Sequence, residues 1–131
     1  MTGVFNFIGP DAIYQNATFN VSLNWKDTAN NSYSLGSYLA FMQIRQFSQS
    51  VVSIVDLSLD NAMIVLEDEG VTGQISINIP KETTVTFSVG MYAYDLVMVN
   101  ALNGKATRLL EGKIEVRPGV TKNLPPYTVV S

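Results

Sequence analysis

The stretch "ATFNVSLNW" (residues 17–25) decides the fold class. Ala17, Phe19, Val21, Leu23 and Trp25 fall on one parity, and Thr18, Asn20, Ser22 and Asn24 on the other. Successive side chains of a strand project to opposite faces, so this alternation predicts an antiparallel strand with one face on a core and one in water. The same period recurs along the chain. "QISINIP" (74–80) turns Ile75, Ile77 and Ile79 inward and Gln74, Ser76 and Asn78 outward. "TRLLEGKIEVRPGV" (107–120) turns Leu110, Ile114 and Val116 inward, with Glu111, Lys113, Glu115 and Arg117 outward in alternating sign. In "VGMYAYDLVMVN" (89–100), Tyr92, Tyr94, Leu96 and Met98 share the inward parity.

The remaining segments fill in the architecture. "YLAFMQIRQF" (38–47) has Met42 and Ile44 on one face and Leu39 and Phe41 on the other, which predicts a central strand partly covered on both sides. "VVSIVDLSL" (51–59) is β-branched and reads as strand. Asp60-Asn61 predicts a tight turn, with "AMIVLED" (62–68) as the returning hairpin strand, and Asn103-Gly104 predicts a second hairpin. "PKETTVTF" (80–87) breaks the period, and Pro80 predicts one short helical turn near 80–86 that crosses between sheets. About seven to eight strands at such spacing give an all-β fold, an immunoglobulin-like antiparallel β-sandwich.

The chain has 131 residues, of which 47% are hydrophobic, enough for one domain spanning 1–131 with its own core. Extended arms are expected at 1–12 and 123–131. There are no cysteines and no histidines. Thiolate metal sites, cysteine nucleophiles and Ser-His-Asp catalysis are thereby excluded, as is the commonest general base. The net charge is −3, and the eight basic residues are scattered, which argues against nucleic acid as a partner. The longest apolar runs fall well short of the ~20 residues of a membrane helix. The amino terminus lacks a basic head and long apolar run, which sets the expectation of assembly in the cytoplasm. No enzyme, catalytic residue, metal or cofactor is expected.

Several residues stand out. Tyr92 and Tyr94 suggest a tyrosine-corner role, with stacking on a ligand as the alternative. Phe19, Trp25 and Leu96 join them as expected core, although Trp25 also suits a surface anchor. Asp95 sits among apolar neighbours and needs a partner; Arg45 is the candidate for a buried ion pair. Asp56, Ser58, Asp60 and Glu67 match positions of a calcium loop, but Asn61 replaces its glycine and Leu57 and Leu59 alternate as in a strand, which favours a hairpin turn. The apolar termini offer Val4, Phe5, Phe7, Ile8, Tyr127, Val129 and Val130 as a partner interface, either within their own sandwich or on a neighbouring chain. Tyr14, Tyr33, Tyr38 and Tyr127 are candidates for a carbohydrate-binding aromatic platform.

The segments "FMQIRQ", "VVSIVDLS", "GQISINIPKETTVTFSVGMYAYDLVMVN" and "GKATRLLEGKIEVRPGVTK" together resemble a tailed-bacteriophage pattern. It is that of the small β-sandwich domain at the amino terminus of baseplate upper proteins and related virion proteins. Arg45, Gly73, Tyr92, Tyr94, Asp95, Leu96, Arg108, Gly112, Pro118 and Thr121 stand at the matching positions, and the resemblance spans residues 38–122. It implies a structural role in the virion, with other virion proteins and copies of the same chain as partners. In that family the domain attaches an appendage and commonly precedes a fibre or receptor-binding part. With the chain ending at Ser131, the expectation is a connector, collar, baseplate or capsid-decorating subunit. A carbohydrate- or surface-binding module is the competing expectation.

Overall fold

The computed structural model describes residues 3–25, 35–47, 49, 52–67 and 73–119. Among the described residues, nine strands form two sheets: β1 (Gly3–Val4), β2 (Ile13–Tyr14), β3 (Phe19–Asn24), β4 (Tyr38–Arg45), β5 (Ser53–Ser58), β6 (Ile64–Leu66), β7 (Gln74–Ile79), β8 (Gly90–Asn100) and β9 (Ala106–Arg117). The larger sheet runs β1-β9-β8-β4-β5, with β2 also on β9, and the smaller runs β3-β7-β6. A short helix α1 (Lys81–Thr84) carries the chain from β7 in one sheet to β8 in the other. The architecture is the expected all-β, immunoglobulin-like sandwich. Beyond the strands anticipated from the sequence, it has two very short parallel pieces, β1 and β2.

Period-two parity holds wherever it was sharp. Ile75, Ile77 and Ile79 are fully buried, and Tyr92, Tyr94, Leu96 and Met98 point from β8 into the same core. Phe19 on β3 and Ile114 and Val116 on β9 close that core from the facing sheet and the neighbouring strand. Burying each such side chain contributes about 1.5–3 kcal/mol, which makes this layer the main source of stability. Pro80 caps α1 rather than entering it, with its carbonyl accepting from the Thr83 and Thr84 amides at 2.9 and 3.1 Å. The Asn103-Gly104 turn forms as expected, with Gly104 at φ 73°, in the left-handed region that suits glycine.

The Asp60-Asn61 turn is not a hairpin. β5 pairs with β4 in the larger sheet and β6 with β7 in the smaller, so residues 59–63 cross between the sheets. Leu57 and Ile64 both face the interior, from opposite layers, which requires the crossing. Asn61 holds the corner. Its amide donates to the Asp56 carbonyl at 2.9 Å, and its Oδ1 accepts from the amides of Ser58 and Met63 at 3.2 and 3.0 Å.

The amino-terminal stretch is likewise no free arm. It runs parallel to β9 along the sheet edge: the Phe5 amide donates to Glu111, the Phe7 amide to Lys113, and the Glu115 amide returns to Phe7. A 3₁₀ turn at Gly9–Asp11, containing Pro10, interrupts it before β2. Two features seat this segment. The Tyr94 hydroxyl donates to the Phe5 carbonyl at 2.6 Å. Gly112 leaves the space in which that carbonyl lies, since a Cβ there would sit 2.2 Å from the oxygen.

Candidate functional site

Sheets bury one face and leave one open, so the outward parity of the larger sheet is the first place to look for a surface. On β4 it carries Leu39 and Phe41, each 43% exposed, while Ile54 of β5 is exposed farther along, level with Ile44 and Arg45. Val97 and Val99 of β8 lie on the same outward parity, paired with Phe41 and Leu39. The central position expected for β4 is correct, but its outer face is uncovered. Apolar side chains grouped on an open face mark a contact surface more often than chance scatter does.

Towards β9 the same face becomes charged. A groove of about 560 Å³ is lined by Gln43, Arg45, Asp95, Arg108, Glu111 and Lys113 over an Ala93 and Gly112 floor. Asp95 and Glu111 stand directly opposite in register, an unfavourable like-charge pair. Arg108 answers both, with Nε 3.1 Å from Asp95 and Nη1 3.7 Å from Glu111. It reaches them because the register shifts at Leu96/Val97, leaving Leu109 as an extra residue and placing Arg108 opposite Val97. The expected buried Arg45–Asp95 pair is therefore corrected: Asp95 is 37% exposed and salt-bridged to Arg108 on the outer face. Arg45, opposite Ala93, donates to Gln43 at 2.5 Å in the same groove.

The tyrosines divide by role. The Tyr92 hydroxyl donates to the Ser88 carbonyl, four residues upstream, at 2.6 Å, which is the expected tyrosine corner at the start of β8. Tyr94 ties down the amino-terminal segment, and burial pushes its phenol far above the ordinary tyrosine range. Neither ring is available to stack on a ligand. Phe7, offered by the sequence as interface, is 3% exposed, with its ring 4.7, 5.6 and 5.2 Å from those of Phe5, Phe19 and Tyr94. Val4, Phe5 and Ile8 keep exposed side chains at 70%, 44% and 44%. Tyr33, Tyr127, Val129 and Val130 lie outside the described residues.

A second surface lies at the end of the sandwich. Trp25 and Tyr38 meet edge to face at 5.3 Å beside the β8–β9 turn, where Asn100, Asn103, Lys105 and Thr107 complete a groove of about 380 Å³. Asn100 and Asn103 accept from the amides of Leu102 and Lys105 through Oδ1, which leaves their NH₂ groups as donors for other partners. Trp25 is only partly buried, between the core and anchor roles. Tyr14, by contrast, is occupied by Arg117, 5.9 Å over its ring, and by a bond to the Gly9 carbonyl.

Among the described residues, no group of three or more acidic side chains is placed to hold a metal. No helix among them is long and apolar enough to cross a membrane. No protein-family model matches the chain, and no curated protein matches its sequence.

Proposed function

We propose that the chain is a non-enzymatic structural component of a bacteriophage particle. It would occupy the tail or baseplate, the neck, or a decorating position on the capsid, and assemble through protein–protein contacts in the host cytoplasm. The observation that carries this reading is the open outer face of the larger sheet, where Leu39 and Phe41 of β4 stand exposed beside Val99 and Val97 of β8. Such a face is compatible with many weak, repeated contacts that become stable when copies assemble together. The resemblance over residues 38–122 supports the same reading. Quantitative mass spectrometry of purified particles tests it. The chain at a fixed ratio to the major capsid protein is the expected result; its absence from intact particles, despite expression during infection, overturns the proposal.

The Trp25–Tyr38 groove favours a second reading, a carbohydrate-binding module. Aromatic rings and oriented amide donors are the groups that recognise sugar faces and hydroxyls. Titration with a glycan panel, followed by Trp25 fluorescence, separates the two. Saturable quenching favours the binding module, and a flat signal favours the structural role.

A further inference from the structure

Every open sheet must deal with its edges, because unpaired main-chain groups invite another strand. Among the described residues, three of the four sheet edges are guarded. The amino-terminal segment covers β9 and is itself broken by the Pro10 turn. β5 is kinked by a register shift that leaves Ile54 extra, and Asn61 occupies its Asp56 carbonyl and Ser58 amide. β6 is three residues long. The fourth edge, β3, has six residues and carries no proline, bulge or charge.

The direction of the free groups on β3 follows from one bond. The Trp25 amide donates to the Gly73 carbonyl at 2.9 Å, which makes those two a hydrogen-bonded pair. Bonded and non-bonded pairs alternate along an antiparallel ladder. Phe19, Val21 and Leu23 therefore point their main-chain groups at β7, while Asn20, Ser22 and Asn24 point theirs away from the sheet. The opposite side of β7 agrees, since the Asn78 amide turns to Met63 beside β6, at 2.8 Å.

The sequence of this edge reads alike in both directions. About Ser22, Asn20 mirrors Asn24, Val21 mirrors Leu23, and Phe19 mirrors Trp25. We infer that β3 pairs antiparallel with β3 of a second copy, on a two-fold axis through Ser22, joining the two smaller sheets into one. In that register Ser22 bonds Ser22 of the second copy, and Asn20 bonds Asn24 of the second copy, each pair exchanging two main-chain bonds. The core parity is preserved across the junction, so Val21 meets Leu23 and the buried Phe19 meets Trp25, covering Val21, Leu23 and Trp25, which are only partly buried at the edge. An isologous contact needs a self-complementary surface, and this strand supplies one. Residues 16–25 and the adjacent Gln74, Ser76 and Asn78 are uncharged, so two chains of net charge −3 can meet here without close like charges.

The pairing deepens the assembly reading by naming a surface through which two copies meet, but it stands on edge geometry alone. Light scattering and sedimentation over a concentration series test it. The expected species has twice the 14.4 kDa mass of the chain. Ser22→Pro deletes an outward amide without touching the ladder to β7, so the variant should keep its strand spectrum and dimerise at least about tenfold more weakly. If that variant misfolds, charge substitution decides. Asn20→Lys with Asn24→Lys places ammonium groups opposite each other and should give monomers, whereas Asn20→Glu with Asn24→Lys pairs opposite charges and should keep the dimer. A wild-type chain that is monomeric at every concentration overturns the pairing, as does a dimer indifferent to these substitutions. A monomer found at a fixed ratio in particles would overturn the pairing and leave the assembly reading standing.

Discussion

Phe7→Ala separates an amino-terminal segment that belongs to its own sandwich from one held in reserve for a neighbour. The ring is 3% exposed and lies within 6 Å of three other rings. Truncating a buried phenylalanine costs about 3–5 kcal/mol through lost transfer energy and the cavity left behind. Edge-to-face pairs add about 0.5–1.5 kcal/mol each, which places this site toward the upper end of that range. In urea, with a slope of about 1.5 kcal/mol per M for a chain of this size, the midpoint should fall by about 2–3 M. The assay is equilibrium unfolding of the isolated chain, followed by Trp25 fluorescence and by far-ultraviolet circular dichroism. Phe5→Ala is the control, since its 44% exposed ring has less to lose. A Phe7→Ala midpoint within error of the wild type would refute the placement of Phe7 in the core and return the segment to the role of a free arm.

Three further outcomes follow from the same geometry. Gly112→Ala sets a Cβ against the Phe5 carbonyl oxygen, so amides of residues 3–7 should lose hydrogen-exchange protection while β4 and β8 keep theirs; unchanged protection at Phe5 and Phe7 would contradict the close approach. Tyr92→Phe removes the bond to Ser88 and should cost about 1–2 kcal/mol in thermal or urea unfolding, with no loss meaning that the corner is only a packing contact. Arg108→Ala leaves Asp95 and Glu111 facing each other unanswered and should cost about 0.2–1 kcal/mol, shrinking as salt is added. A salt-independent loss would point to packing of the arginine stem instead.

Parity was legible because a two-residue period leaves no intermediate state. One shift would have turned Phe19, Ile77 or Leu96 into water, so their faces could be assigned from residue type alone. What parity cannot carry is the identity of the neighbouring strand. The turn at Asp60-Asn61 looks the same whether the chain returns beside β5 or crosses to the other sheet, and the burial of Leu57 and Ile64 in facing layers decides the matter. The partner of Asp95 was hidden for a related reason. The extra residue Leu109 moves Arg108 into reach, and a bulge in β9 leaves no mark on β8. For the second groove the sequence marks Trp25 as an anchor candidate and Tyr38 as a platform candidate, but their meeting is a non-local contact that no local pattern encodes. The exposure of Leu39 and Phe41 was half visible: the sequence put both on the opposite face of β4 from Met42, but not that this face would lie open.

The parallel run of the amino-terminal segment against β9 has a mechanical consequence. The chain enters the sheet at Gly3 and leaves it at Arg117 along two neighbouring strands that point the same way. Tension applied to the two ends therefore slides these strands past each other. The bonds from Phe5 to Glu111, Phe7 to Lys113, Glu115 to Phe7 and Gln15 to Arg117 then bear the load together rather than opening one after another. Forced unfolding is governed by the barrier to the first rupture, and sharing the load raises that barrier without adding to equilibrium stability. A chain pulled at its ends should hold until this seam shears as a unit, and then give way all at once.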